Sequence, residues 1–315
     1  MQLPRAPRIH GQPRPMRTTA TLTGVPHTRH ERAAGTLVEC PLKRASVLIR
    51  TKNEARGIGA TLEVVFSQSL RPHEVFVIDS GSRDRTLEIA SRFPVKILRM
   101  SPKGWSYSKA LNLGAREATG EFVVCLSAHS PPVGQEWLSN LLRHFDDPSV
   151  AAVWGPRSPK KPTDRTGHLL RHEAGSYTFE TRHWGLSNHN SAFRRSLWLE
   201  FPFDESLPAT EDKAWGAEAM ARGYSIVYDP EAAVLHRPRP VLHEFRRSRA
   251  IQAGYRILFP QLRFSLRAEV RTLTKRTLSK LAAHARRRDR IQFVLDARRL
   301  PSMVAGLLGR LLSRS

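Results

Sequence analysis

Cysteine is almost missing from this chain: Cys40 and Cys125 are the only two in 315 residues. Two cysteines make no disulfide framework, and no CxxC pattern offers a zinc site, which fits a reducing compartment. Long apolar runs are missing as well. No stretch approaches the ~18 consecutive apolar residues of a membrane-spanning helix. The first residues carry arginine and proline without an apolar core, so they do not read as a secretory signal. These absences lead to the expectation of a cytoplasmic chain. Acidic residues are scarce: 28 Asp and Glu stand against 51 Lys and Arg, for a net charge of +23. Taken alone, that excess suggests a phosphate-bearing partner such as nucleic acid, an anionic membrane or a nucleotide.

The excess is not evenly spread. Residues 1–44 hold 8 basic and 2 acidic residues, and residues 241–315 hold 18 and 4, which leaves only +3 for the segment between them. The middle is an ordinary mixed-charge domain with 40% hydrophobic residues in the chain as a whole, enough to build a core. Residues 1–44, rich in Pro, Arg and Thr and without a hydrophobic period, read as a disordered basic extension. Residues 45–240 read as the folded domain, and 241–315 as a basic helical region.

Within the domain, strand and helix alternate. SVLIR, EVFVID, VKILRM, FVVCL and VAAVWG read as strands, with helical periodicity between them. Short connections and alternation predict an α/β fold, a mostly parallel sheet covered by helices on both faces. Ligands in such sheets bind beyond the carboxyl ends of the strands. Polar residues collect there: Thr51 to Glu54, Asp79 with Ser80, and Ser127 to His129. Residues 158–190 read as a long loop, a length that usually serves function. Thr210 is expected to cap a helix from Glu211 to Arg222, and SIVYDP to form a further strand.

By residue chemistry alone each candidate has a bland alternative. Asp79 can simply accept the N–H groups of its own turn. Ser108, Lys109 and Asn112 are expected on one helix face, where Lys109 either neutralises a phosphate or faces solvent. Glu211 and Asp212 are either first-turn acids or an acid/base pair. Cys125, inside an apolar strand, reads as a buried thiol.

IRTKNEARGI, VIDSGSRDRT, SKALNLGAREATGEFVVCLSAHSPP and ATEDKAWGAEAMARGYSIVYDPEAAVLH, in this order and spacing, resemble family 2 glycosyltransferases with the GT-A fold, closest to bacterial rhamnosyltransferase-like members. The resemblance covers roughly residues 45–236. It implies an inverting transferase that moves a sugar from a nucleotide-diphosphate donor to a saccharide or lipid-linked acceptor, in surface polysaccharide or glycolipid synthesis. It implies donor binding by Thr51, Glu54, Asp79, Ser80, Lys109, Asn112, Ser127 and Asn190, and a catalytic base in the Glu211–Asp212 pair, at Asp212. It implies a divalent cofactor, Mn²⁺ or Mg²⁺, and here the sequence departs from the family. Ser127-Ala128-His129 stands where the family carries an Asp-x-Asp motif. Three readings of His129 stay open: a metal ligand with His236, a hydrogen-bond donor to the diphosphate, or a structural histidine.

The basic tail adds an expected anionic membrane surface on the inner face of the cell membrane, with Leu300–Leu312 as an apolar helical face. A helix packed on the domain is the competing reading. Two rival functions remain at this level. One is a catalytically silent sugar-nucleotide binder. The other is a basic nucleic-acid-binding protein, disfavoured because no helix-turn-helix, paired RNA-binding aromatics or zinc finger appears.

Overall fold

The computed structural model describes residues 43–159, 167–176, 185–236 and 241–260, together with residue 304. Most of the N-terminal extension and the Leu300–Leu312 face, apart from residue 304, lie outside the described residues.

The apolar segments become strands wherever they are short and β-branched. β1 (Ala45–Thr51), β2 (Glu74–Asp79), β3 (Lys96–Arg99) and β4 (Phe122–Ser127) pair in parallel in the order β3-β2-β1-β4. The crossovers are α1 (Ile58–Phe66), α2 (Thr86–Ala90) and α3 (Tyr107–Glu117). The α2 helix is shorter than the pattern predicts, and Phe93, beyond its end, stacks on Phe66 with ring centroids 6.0 Å apart. Side chains alternate across the sheet as the strand period demands. Val47 and Ile49 enter one core with Ile58, Leu62 and Trp137, while Leu48 and Ile78 enter the other with Leu111 and Trp215.

Beyond β4 come α4 (Trp137–Leu142), β5 (Val150–Trp154), β6 (Leu170–His172), β7 (Asn190–Arg194), α5 (Arg195–Glu200), α6 (Glu211–Ala221), β8 (Ser225–Tyr228) and α7 (Val241–Leu258). The full order of the eight-stranded sheet is β3-β2-β1-β4-β7-β5-β8-β6. β7 runs antiparallel between β4 and β5, and β6 antiparallel to β8. The sequence pattern assigned neither β6 nor β7. β7 opens on Asn and Ser, and its five residues are buried on both faces except Arg194, so no period-2 alternation marks it.

Two helices differ from expectation in ways that bear on the site. Thr210 does not cap α6 through its side chain. It sits in the left-handed region at φ 73°, and its hydroxyl turns back to the Ala209 carbonyl. A β-branched residue there stores of order 1–3 kcal/mol of strain. α7 begins where a separate basic region was expected, but it packs on the domain. Ser248, Gln252 and Tyr255 are buried, and a Cβ on Gly254 would collide with Thr210 Oγ1 and the Ala209 carbonyl.

Candidate functional site

The parallel register sets Thr51 level with Asp79, and Arg50 level with Ser127. The carboxyl ends of β1, β2 and β4 therefore form one rim. Because β7 is antiparallel, it enters the sheet at this same rim, with Asn190 opposite Leu126. That entry delivers Asn188 and His189 to the end of β4, where Ser127 N donates to the His189 carbonyl at 3.2 Å.

His129 is the centre of the rim. Its Nδ1 meets Glu54 Oε1 at 2.7 Å, and its Nε2 faces His236 Nε2 at 3.2 Å. A carboxylate on Nδ1 fixes the tautomer, so the Nε2 lone pair of His129 is directed at His236. His189 completes a row of imidazoles, its ring centroid 5.9 Å from that of His236. His189 is buried, its Nδ1 is 2.8 Å from Ser187 Oγ, and its pKa lies well below the usual imidazole value. Burial is the main cause, and the charges of Arg157, His236, Arg247 and Lys213 add to it.

The Glu211–Asp212 pair opens α6 beside this row. Asp212 Oδ2 accepts from Asn188 N at 3.1 Å, and its Oδ1 accepts from Lys213 N at 2.8 Å. Asp212 is half-buried, whereas Glu211 is buried. Burial first, and then the neighbouring Asp212 charge, push the Glu211 carboxyl up to about 7, with Arg50 opposing. Arg50 reaches under the rim to the Asn188 carbonyl at 2.6 Å and lies 5.3 Å from the Tyr107 ring centre. Lys213 is buried, donates to the Gly185 and Leu186 carbonyls at 3.0 and 2.7 Å, and is lowered to about 8 by burial. One short segment, 185–189, is thus clamped by Lys213, Asp212, Arg50 and Ser127.

The other sequence candidates are dispersed by the fold. Asp79 is buried at the end of β2, where its carboxylate accepts from Gly81 N, Ser82 N and Ser82 Oγ. Its turn takes its lone pairs, as the bland alternative requires. Ser80 Oγ donates to the Thr51 carbonyl at 3.3 Å, while Thr51 Oγ1 is buried with no hydrogen-bond partner. Ser127 is buried at the end of β4. Lys109 does not share a face with Ser108 and Asn112, which are buried; it is exposed in the first turn of α3, behind the Ser106 cap. Asn112 is saturated by protein. Its Nδ2 donates to the Phe203 carbonyl and Glu205 Oε1, and its Oδ1 accepts from Trp198 Nε1 and Phe203 N. Asn190 is fully buried, donating to the Ala232 carbonyl at 2.6 Å and accepting from Trp137 Nε1 at 2.8 Å. Both asparagines brace the fold, and the roles the resemblance implied for them do not fit this geometry. Cys125 is the expected buried thiol, pushed up to about 12 by burial.

Residue typing missed Arg50, Asn188, His189 and Lys213. Arg50 lies inside a strand, and Asn188 and His189 lie at the end of an expected loop. Lys213 beside an acidic pair reads as a surface charge. Only the last carried a signal, a lysine one step past the pair on a helix whose next turn is buried.

A strand-end rim of histidines beside a first-turn acid is the arrangement to compare with known proteins. The description "Glycosyl transferase family 2" matches residues 46–201. The chain carries a family 2 glycosyl transferase domain. The O-antigen chain rhamnosyltransferase RfbN of Salmonella typhimurium is 26% identical over 207 residues, 61% of this chain and 66% of its own length. The corresponding enzyme WbaN of Salmonella anatum is 29% identical over 182 residues, 54% of this chain and 58% of its own. The matched segments thus span less than two thirds of these relatives. Among solved structures, mannosyltransferase PcManGT from Pyrobaculum calidifontis, in complex with GDP-Man and Mn²⁺, superposes with a TM-score of 0.57 at 20% identity, covering 86% of this chain and 88% of that one. TarS of S. aureus in complex with UDP gives a TM-score of 0.51 at 19% identity, over 68% and 65%. The fold of the family 2 domain is therefore GT-A, as the motifs led us to expect.

Proposed function

We propose that this chain transfers a sugar from a nucleotide-diphosphate donor to an acceptor hydroxyl by inverting displacement, in surface polysaccharide or glycolipid synthesis. The observation that carries the reading is the Asp212 carboxylate. It is half-buried, held by two backbone N–H groups, and tied through Asn188 and His189 to the rim where the β1, β2 and β4 ends meet. Asp212 takes the acceptor proton as the acceptor oxygen attacks the anomeric carbon. The sugar passes through an oxocarbenium-like state while negative charge grows on the departing diphosphate. The half-buried Asp212 carboxylate beside the rim favours this reading over a silent binder.

The missing Asp-x-Asp carboxylates raise the question of whether the residues present suit a divalent ion. Two imidazole nitrogens sharing one ion through ~2.1 Å bonds lie roughly 3.0–3.4 Å apart, and the His129 and His236 Nε2 atoms are 3.2 Å apart. Glu54 on Nδ1 supplies the supporting carboxylate that metal-bound histidines usually have. The pair fits. His129 and His236 would hold the ion, which would offset charge on the diphosphate. Nitrogen ligands favour Mn²⁺ or a softer ion over Mg²⁺, which prefers oxygen.

A thermal-shift panel of nucleoside diphosphates, with chelator, Mg²⁺ or Mn²⁺, tests the reading on the intact chain. A ligand that binds only the folded state raises its melting temperature. We expect at least one nucleoside diphosphate to stabilise the protein, and Mn²⁺ to enhance that more than Mg²⁺. No stabilisation by any member would remove the donor assignment. An identical response in excess chelator would remove the metal reading of His129.

A further inference from the structure

Two arginines stand in central strands, and the fold uses them differently. Arg194, at the end of β7, donates to the Val150, Phe145 and Asp147 carbonyls at 2.8, 2.8 and 2.9 Å, and so ties protein to protein on three sides. Arg50, near the end of β1, points to the face that Leu48 occupies two residues earlier. Leu111 of α3 and Trp215 of α6 cover that face. Among the described residues, Arg50 makes a single hydrogen bond, from Nη2 to the Asn188 carbonyl at 2.6 Å, and no ion pair. Its Nε is buried without a partner, and its guanidinium lies over the Tyr107 ring. A half-buried cation with no paired carboxylate and an unsatisfied N–H costs stability, and an apolar side chain would pack there more cheaply.

What Arg50 holds is one residue beside the proposed base. Asn188 accepts from Arg50 at its carbonyl and from Ser191 Oγ at its Oδ1, the latter at 3.1 Å. The next carbonyl, of His189, accepts from Ser127 N. Asn188 is thereby fixed with its N–H directed at Asp212 Oδ2, 3.1 Å away. The other hydrogen bond to Asp212 comes from Lys213 N, within α6. Among the described residues, the Asn188 N–H is thus the one hydrogen bond that reaches Asp212 from outside its own helix. A side chain held only by its own helix can exchange between staggered rotamers, and a contact from a fixed strand end selects one of them. A base must lie within hydrogen-bond reach of the proton it takes, and small misplacements are costly. The Arg50 charge also reaches the acid pair, where it opposes the rise of the Glu211 carboxyl.

We propose that Arg50 is a positioning residue for the transfer step: it fixes the Asn188 backbone, whose N–H aims the Asp212 carboxylate at the acceptor. This rests on the transferase reading, in which Asp212 is the base. Arg50 touches neither substrate nor reacting atoms in this role.

Hydrogen exchange of the Asn188 amide, followed by NMR on the full chain, tests the hold without any substrate. Arg50→Met keeps the length of the side chain and removes its donors and charge. It should speed exchange at Asn188 about tenfold or more, the size of one lost charge-assisted hydrogen bond, while amides in β1 and β4 keep wild-type rates. Unchanged exchange at Asn188, or an equal rise throughout the sheet, would overturn the proposal. Turnover supplies the second readout, as nucleoside diphosphate released from a panel of nucleotide sugars with water in place of the acceptor hydroxyl. Arg50→Met should lower kcat about tenfold or more with KM little changed. In the Asp212→Asn background the same substitution should lower kcat by less than about threefold, because residues that act through one another are not additive. Equal losses in both backgrounds would make Arg50 a fold residue and sink the idea. Arg50→Lys, which keeps a charged donor of shorter reach, should fall between the two proteins in both readouts, and it carries the same comparison if Arg50→Met does not fold. Absence of turnover in the wild type with every sugar nucleotide would count against the transferase reading, while the exchange rates would still decide whether Arg50 holds Asn188.

Discussion

Asp212 and Glu211 are adjacent carboxylates with different surroundings, and that difference underlies the roles we propose for them. Asp212 is half-exposed and accepts from two backbone N–H groups, whereas Glu211 is buried and pushed up to about 7. Asp212→Asn keeps the size and loses the basicity. Transfer should fall by ~10²–10⁴ in kcat, the usual contribution of a positioned base, with nucleoside diphosphate affinity unchanged by calorimetry. Loss of both together would show that the side chain holds the fold. Glu211 makes a prediction about pH. Its carboxyl is raised from an ordinary 4.5 to about 7 in the folded chain, so between those values the native state binds more protons than the unfolded state. Stability therefore falls as pH rises through that window. Glu211→Gln removes the term, so melting temperatures should favour the variant over wild type more at pH 8 than at pH 5. An equal difference at both pH values would mean that Glu211 ionises normally.

Elements hold these residues in place. Asn112 ties α3 to the turn after α5 with all four of its hydrogen-bonding positions, rather than facing the donor. Asn112→Ala strands buried Trp198 Nε1 and Phe203 N, at a cost of about 1–3 kcal/mol for each unsatisfied group. It should lower the melting temperature and leave nucleotide affinity alone; the reverse pattern would restore a donor-binding role. α7 bears on the start of α6, which carries the proposed base, through the close approach of Gly254 to Thr210 and Ala209. Gly254 lies where any Cβ would meet Thr210, the strained residue directly ahead of Glu211 and Asp212. Gly254→Val should lower kcat more than it raises the donor Michaelis constant, because the displaced residue precedes the proposed base and not the nucleotide rim. Wild-type kinetics in that variant would mean that α7 yields without moving α6.

For the whole molecule, charge placement matters more than the total. α7 belongs to the packed domain, so a cut at 240 would remove part of the site's support. Beyond residue 260 the chain carries 14 Lys and Arg against 3 Asp and Glu. Each basic residue near an anionic surface contributes ~1 kcal/mol. Full-length protein should co-sediment with phosphatidylglycerol vesicles in a salt-sensitive way, and a chain ending at 260 should do so far less. Equal sedimentation would take the tail out of membrane binding. Among the described residues no helix is long and apolar enough to cross a membrane.

Local order was legible where physics is local. β2 has the limits that its apolar run and Asp79 announced, and the rim of polar strand ends follows from parallel alternation. The motifs also gave the family and the place of His129, and the unusual Ser127-Ala128-His129 triplet was visible as a departure. The pairing of β7 was not legible, because a five-residue strand buried on both faces shows no alternation and its partners lie far away in sequence. That one antiparallel insertion carries Asn188 and His189 to the rim. The fates of Asn112 and Asn190 likewise depended on what packs against them, since an amide's chemistry is the same whether it meets a ligand or a tryptophan. Sequence by itself determined the alternating strands and helices from β1 to β5, the family 2 domain and the candidate acids, through short-range periodicity, motifs and residue chemistry. Tertiary structure alone decided which polar groups are consumed by the fold and which side chains meet His129, because burial and long-range contact exist only once distant segments are brought together.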